Sequence, residues 1–362
     1  MRKFGSVLAL HVRPRAEPSR RMRVAAPLIA SALTLIFGLI FFAALGRDPV
    51  ASLYAFFVKP LSSANGVSEW LLKGSSLTLI GLGLAIGFRA NVWNIGAEGQ
   101  FIIGAIAAAA VALFAPEMPS YVMLPLMFAA GLVGGMAWAS IPALLRHRFA
   151  TNEILVSLML TYVASAILSW LVHGPWRDPE GFNYPQTAIF PPSAMLPAVV
   201  EGYRVNVSIF ITLAAVIAAW IFDERTFLGY KMRVGGDAPS AARYAGFGEG
   251  QSIWVGMLIG GAAAGVAGMA EAAGPLGQLS PQISPGYGFA AIIVAFVGRL
   301  NPVGIVIAGL LLSLLYLGGE NAQIALAMPS AVTRIFQGVL LFFLLGADFL
   351  IFYELKWMGR PP

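Results

Sequence analysis

The sequence has no cysteine, so disulfides, thiolate metal sites and cysteine nucleophiles are excluded. Its three histidines, His11, His147 and His173, lie in three different segments. That scatter leaves no constellation for an intramembrane metalloprotease or a serine-type triad. The five lysines are followed by Phe, Pro, Gly, Met and Trp, so no G-x-x-x-x-G-K-[ST] phosphate loop exists. No acid–histidine chain suggests a proton relay. Charge itself is scarce, 11% of residues against about 25% in soluble domains.

What is present is apolar. The chain is 58% hydrophobic with a mean hydropathy of +0.78, and it reads as an all-α polytopic membrane protein, because lipid-exposed backbone must bond within its own helix. A pI near 9.7 fits the cytosolic excess of Lys/Arg in membrane proteins better than nucleic-acid binding. The apolar runs are assigned as ten spans, at 24–45, 71–87, 95–114, 121–145, 154–172, 206–222, 251–270, 287–297, 303–317 and 331–349. A basic, disordered tail over 1–23 precedes a membrane domain over 24–350, and a second tail covers 351–362. Of the 23 Lys/Arg, only Arg47, Lys59, Lys73, Arg177, Arg204 and Arg334 fall in segments placed outside. That skew predicts both termini in the cytosol. Ten spans divide into two sets of five, and an odd-numbered repeat has to be inverted.

The stretch FRANVWNIGAEGQ over 88–100 interrupts two apolar runs. It crowds Asn91, Trp93, Asn94, Glu98 and Gln100 at a membrane boundary, where irregular backbone survives only if buried in protein or lining a cavity. Glu98 has two readings: a pathway acid, or a structural one that pairs with Arg89 or caps the helix it begins. Asn91, Asn94 and Gln100 either meet a polar solute or satisfy broken backbone. Trp93 either stacks on a planar ligand or anchors the interface. Glu271, at the end of a Gly/Ala-rich span, lines the pathway or faces the outer rim. Tyr287 and Phe289, which open span eight, gate a pore or anchor the interface.

The longest polar stretch, 223–250, contains a short amphipathic helix over 239–244, with proline and aspartate where a helix starts. Gly235-Gly236 and Gly246 set it off as a unit. A structured cytosolic helix between long spans is a grip for a partner protein, the alternative being a surface loop with no partner.

Four segments, FRANVWNIGAEGQFIIGA, TNEILVSLMLTYVA, TFLGYKMRVGGDAPSAARYAGF and GYGFAAIIVAFVGRLNPVGIVIAGLL, together resemble the membrane permease subunits of ABC importers for nucleosides and simple sugars. That group belongs with the branched-chain amino acid and ribose permeases. The likeness covers residues 70–350 and departs in the basic tail and in VGGD, where the family more often has a small residue, Val-Gly and Asn. It implies a type II-like importer permease in a bacterial inner membrane, without catalysis or cofactor of its own, ATP and magnesium being bound by a partner. The implied partners are a second permease, often a different chain, a cytosolic ATPase and an extracytoplasmic substrate-binding protein, with membrane lipid around them. The ATPase would dock on the loop over 226–248 through Thr226, Gly229, Arg233, Gly236, Pro239, Ala241, Ala242, Tyr244 and Gly246. The competing expectation is an ion-gradient-driven secondary transporter of a small polar solute, with Glu98 as its coupled acid.

Overall fold

Each of the ten apolar runs falls on a helix in the computed structural model, which describes residues 8–15 and 19–359. In chain order the elements are β1 (Leu8–Pro14), α1 (Arg20–Ala44), α2 (Pro49–Leu53), α3 (Ala64–Arg89), α4 (Ala97–Phe114), α5 (Ser120–Phe149) and α6 (Glu153–His173). There follow α7 (Ser208–Arg225), α8 (Phe227–Asp237), α9 (Pro239–Tyr244), α10 (Glu249–Glu271), α11 (Tyr287–Val297), α12 (Pro302–Leu326), α13 (Ala331–Phe352) and β2 (Tyr353–Gly359). Among the described residues, six helices are long and apolar enough to cross a membrane: α3, α4, α5, α6, α10 with its continuation to Leu276, and α12. Two others depart from that standard, α11 by length and α7 by charge. Eleven residues of α11 rise only about 16 Å, half of a hydrocarbon core of about 30 Å. The last turn of α7 is Asp223-Glu224-Arg225.

The chain divides into two compact units, residues 61–314 and the two ends, 1–60 with 315–362. In the larger unit α10 is the central helix and packs against α3, α4 and α5. Its small residues permit this: the Gly265 backbone meets those of Gly104, Gly131 and Gly135. With lipid as apolar as leucine, such close packing rather than hydrophobic exclusion holds spans together. The loop between α6 and α7 is stitched onto the irregular stretch after α10. The Thr187 N–H donates to the Leu279 carbonyl at 3.0 Å, Phe190 to Gly277 at 2.8 Å and Leu196 to Ala273 at 2.8 Å.

In the terminal unit α1 packs on α13. Phe336, fully buried, stacks on Phe42 and Phe56 and meets Phe37, Phe41 and Phe57 edge-on. Where tails are expected, Leu8–Pro14 pairs antiparallel with Tyr353–Gly359, Leu8 opposite Gly359 and Pro14 opposite Tyr353. Residues 10–13 and 353–357 alternate apolar and polar, the period of a strand, and pairing gives each segment the partner it lacks alone. Residues 1–7, 16–18 and 360–362 of those tails lie outside the described residues. The paired strands put both described ends on one side of this unit.

Boundaries shift in three further places. Helix α3 begins at Ala64, capped by the Ser63 hydroxyl, inside the segment assigned as external. Helix α12 continues to Leu326, into the expected outer turn. The polar stretch over 223–250 is largely helical, and Gly235-Gly236 lies inside α8 instead of ending it.

Candidate functional site

Helix α3 ends where Asn91 takes a φ of 56°, a left-handed conformation that asparagine tolerates. The segment beyond it has no helical ladder, and donors in it are taken by side chains elsewhere. The Trp93 N–H donates to Glu153 Oε1 at 3.3 Å and the Ile95 N–H to Ser157 Oγ at 3.3 Å, both acceptors on α6. Asn94 and Gln100, each 1% exposed, exchange two amide bonds of 2.8 and 3.0 Å, and Asn94 Oδ1 also accepts the Gly96 N–H at 3.1 Å. Asn94 Nδ2 lies 2.9 Å from the place a Cβ on Gly260 would take, at the midpoint of α10. The irregular backbone therefore climbs to the middle of the span, enclosed by protein as hydrocarbon requires.

The Glu98 carboxylate, 6% exposed, turns away from its own helix. Its Oε2 accepts the Gly288 N–H at 2.7 Å, and the Ser284 hydroxyl and the N–H groups of Gly286 and Phe289 also donate to it. Those amides are orphan donors of the first turn of α11. Ser284 Oγ takes the Gly286 and Tyr287 N–H groups as well, at 3.2 and 3.1 Å. Glu98 thus caps α11, neither capping α4 nor pairing with Arg89. A Cβ on Gly288 would stand 2.2 Å from the Glu98 nitrogen, so only glycine lets the start of α11 rest on the start of α4.

Arg89 pairs instead with Asp223 on α7 and donates to the Leu300 carbonyl in the turn before α12. Arg233 donates to the Asp223 carbonyl. Asn91 Nδ2 donates to the Gly236 carbonyl at 3.2 Å, and a Cβ on Gly236 would fall 1.8 Å from the Arg89 carbonyl. Gly236 serves this backbone contact, which explains a glycine within a helix, whereas at Gly235 a Cβ would meet only Ser252 Oγ at 3.8 Å. Arg146 joins the same end, paired with Glu153 and, at 3.3 Å, with Glu249. A cavity of about 190 Å³ opens there between Asn91, Arg146, Lys231, Pro239, Arg243 and Phe247.

The residues predicted on the partner loop divide by exposure. Thr226 Oγ1 donates to the Phe222 carbonyl at 2.6 Å and accepts the Gly229 N–H at 3.0 Å, ending α7 and beginning α8. Gly229 packs on the Phe222 carbonyl, and Gly246 follows α9 with a φ of +76°. Pro239 opens α9 as predicted from its fixed φ. On that helix Ala241 is exposed and Tyr244 is 98% exposed, whereas Ala242 is buried. With Phe227 and Tyr230, also exposed, this is an aromatic outer surface, and the Lys231 ammonium sits over the Phe227 and Phe247 rings.

At the far end of the larger unit the predicted residues separate. Tyr287 is buried, its ring edge-on to Phe101 and its hydroxyl 3.4 Å from Lys73 Nζ. Phe289 is exposed. Glu271 is half-buried and accepts one long bond, 3.4 Å, from the Ser76 hydroxyl. Trp93, also half-buried, stacks on Phe296 and lies tilted against Phe88. Among the described residues no group of His, Asp and Glu is arranged to hold a metal.

A broken helix pair bolted to a short amphipathic helix fits the resemblance, and the sequence comparison decides it. Residues 66–345 match the family described as branched-chain amino acid transport system, permease component. The chain belongs to that family. A glucose ABC transporter permease of Haloferax volcanii is 36% identical over 350 residues, covering 94% of this chain and 92% of that one. A nucleoside ABC transporter permease of Lactococcus lactis is 27% identical, covering 90% and 92% of the two chains. A guanosine ABC transporter permease of Bacillus subtilis is 30% identical, covering 88% and 91%. A permease of this family is a multi-pass, non-catalytic subunit that works with others, ATP hydrolysis belonging to a separate ATPase.

Several residues that organise the permease escaped sequence reading. Lys73 carries the one signal that was available, an ionisable group inside an apolar run. Arg146 and Glu153 read as ordinary ends of spans. Phe88, Phe296 and Ser284 carry no signal, since apolar and hydroxyl residues are common throughout such a chain.

Proposed function

We propose that this chain is one half of the translocation unit of an ATP-driven importer for nucleosides or related simple sugars. The observation that carries the reading is the seating of α8 on the Arg89–Ala90 backbone through Gly236, next to α9 with its exposed Ala241 and Tyr244. A helix so placed passes the movement of an attached ATPase directly to the break at 90–96 as a rigid-body shift. The outer surface of α8 and α9 then receives the ATPase, while a second permease chain and an extracytoplasmic binding protein complete the assembly. The names of the relatives support a sugar or nucleoside as solute.

In this reading ten helices cross or enter a bacterial inner membrane as two inverted sets of five. Both termini lie in the cytosol, in keeping with the antiparallel pairing of β1 and β2. Trp93, Glu271 and Phe289, which keep exposed surface, face the path. Asn94, Glu98, Gln100 and Tyr287, all buried, hold the broken backbone in shape, and Asn91 ties it to α8. The capping role of Glu98 removes the acid that an ion-driven secondary transporter would need.

Ala241→Glu tests the reading, because Ala241 is exposed and the substitution leaves the interior alone. The variant is expected to keep its thermal stability in detergent, lose copurification with the ATPase and lose ATP-driven uptake in vesicles. Wild-type association and uptake would exclude α9 as the docking element.

A further inference from the structure

Two buried or half-buried acids of the larger unit differ in one respect that the sequence hides. Glu98 is filled: four donors converge on it. Glu271 is open. Its only hydrogen bond among the described residues is the long one from Ser76, although an ionised carboxylate offers about four acceptor positions. Its charged neighbours are Lys73, Glu69 and Arg204, of which Arg204 and Glu69 pair with each other at 2.9 Å. Lys73, three residues before Ser76 on α3, is the other cation among those neighbours, and its ammonium donates to the Tyr287 hydroxyl at 3.4 Å. Both Lys73 and Glu271 keep exposed surface. Lys73 lies about 24 Å along α3 from Arg89, far from the end where α8 docks.

We propose that Lys73 and Glu271 form a solute subsite for a vicinal diol, with Ser76 and Tyr287 as positioning residues. This rests on the importer reading above and names the group of the solute that is recognised. The chemistry selects that group. Two adjacent hydroxyls donate together to the two oxygens of Glu271, and one also accepts from the Lys73 ammonium, so one neutral ligand fills the open carboxylate and meets both charges. A cationic solute would meet Lys73, an anionic one Glu271, and each is repelled by its like charge. A solute with a bare apolar edge would leave the carboxylate unsatisfied.

The test uses the whole transporter in vesicles, with one preparation of ATPase and binding protein throughout, so that any change belongs to this chain. The probes are guanosine and glucose, each against an analogue without adjacent hydroxyls, 2′,3′-dideoxyguanosine and 1,5-anhydro-3-deoxyglucitol. In the wild type the diol form is expected to be favoured in kcat/KM, and Glu271→Gln or Lys73→Met to lower uptake of that form about 10–100-fold, the worth of charge-assisted hydrogen bonds. The analogue should be little affected, so that the preference collapses, with ATPase copurification unchanged. Ser76→Ala, which alters no charge, should raise KM for the diol form with kcat preserved, and it serves should the charge variants fail to fold. Unaltered preference in Glu271→Gln and Lys73→Met, or an unaltered KM in Ser76→Ala, overturns the subsite. A wild type that takes up neither probe with ATP overturns the importer reading and the subsite with it.

Discussion

Replacing Glu98 separates a structural acid from a transporting one. The carboxylate accepts the N–H groups of Gly288, Gly286 and Phe289 and the Ser284 hydroxyl. In Glu98→Ala, Ser284 Oγ still takes the Gly286 and Tyr287 amides, which leaves those of Gly288 and Phe289 stranded. A stranded buried donor costs about 1–3 kcal/mol, and loss of a negative charge at a helix N-terminus adds up to about 2 kcal/mol. The expected destabilisation is about 2–8 kcal/mol, a large fraction of the 5–15 kcal/mol typical of whole proteins. Glu98→Gln keeps the shape and one carbonyl acceptor and loses only the charge, about 1–2 kcal/mol. Thermal unfolding in detergent, with hydrogen exchange of the first turn of α11, reads both. The melting temperature should fall modestly for Glu98→Gln and sharply for Glu98→Ala, with faster exchange at Gly288 and Phe289. ATP-driven uptake by the folded Glu98→Gln protein should keep its KM. A Glu98→Gln protein with wild-type melting and exchange but no uptake would refute the capping argument and put the acid in the transport chemistry.

Two further outcomes follow from packing. Gly236→Ala places a Cβ 1.8 Å from the Arg89 carbonyl, so α8 must lift from the break; copurification with the ATPase should persist while uptake per ATP hydrolysed falls several-fold, and unchanged stoichiometry would count against that contact as the transmitting one. Phe336→Ala empties the centre of an aromatic cluster in which rings lie 4.8 and 5.5 Å away in stacked contact; a loss of about 3–5 kcal/mol, seen as a lowered unfolding midpoint, is expected, and a midpoint equal to the wild type would contradict the packing.

Helix positions were legible because apolar run length is a one-dimensional signal. Pro239–Tyr244 emerged residue for residue, since proline fixes the first helical φ. The tails were missed because a strand stands only when its partner is known, and Leu8–Pro14 finds its partner more than 300 residues later. Gly235-Gly236 reads locally as a break, yet the proximity of the Arg89 carbonyl gives Gly236 another purpose that only the fold reveals. The same holds for the acids. Position and residue type left both Glu98 and Glu271 with two readings, and what separates them is how many donors reach each carboxylate, those of Glu98 coming mainly from backbone amides at the start of another helix.

The break is also where movement is least costly. A helix bends only by giving up bonds of its own ladder, whereas Asn91, Trp93 and Ile95 bond to Gly236, Glu153 and Ser157 on other elements. A shift of α8 therefore exchanges a few side-chain bonds at the break and leaves α3 and α4 whole. Beyond the break, the Asn94–Gln100 pair and the Glu98 cap lock the starts of α4 and α11 together, so these two helices respond as one body. Tyr287 is the first residue of that body on the α11 side, and its hydroxyl meets Lys73. In the proposed reading, a soft segment between rigid ones passes a displacement of α8 along these contacts to Tyr287 and Lys73.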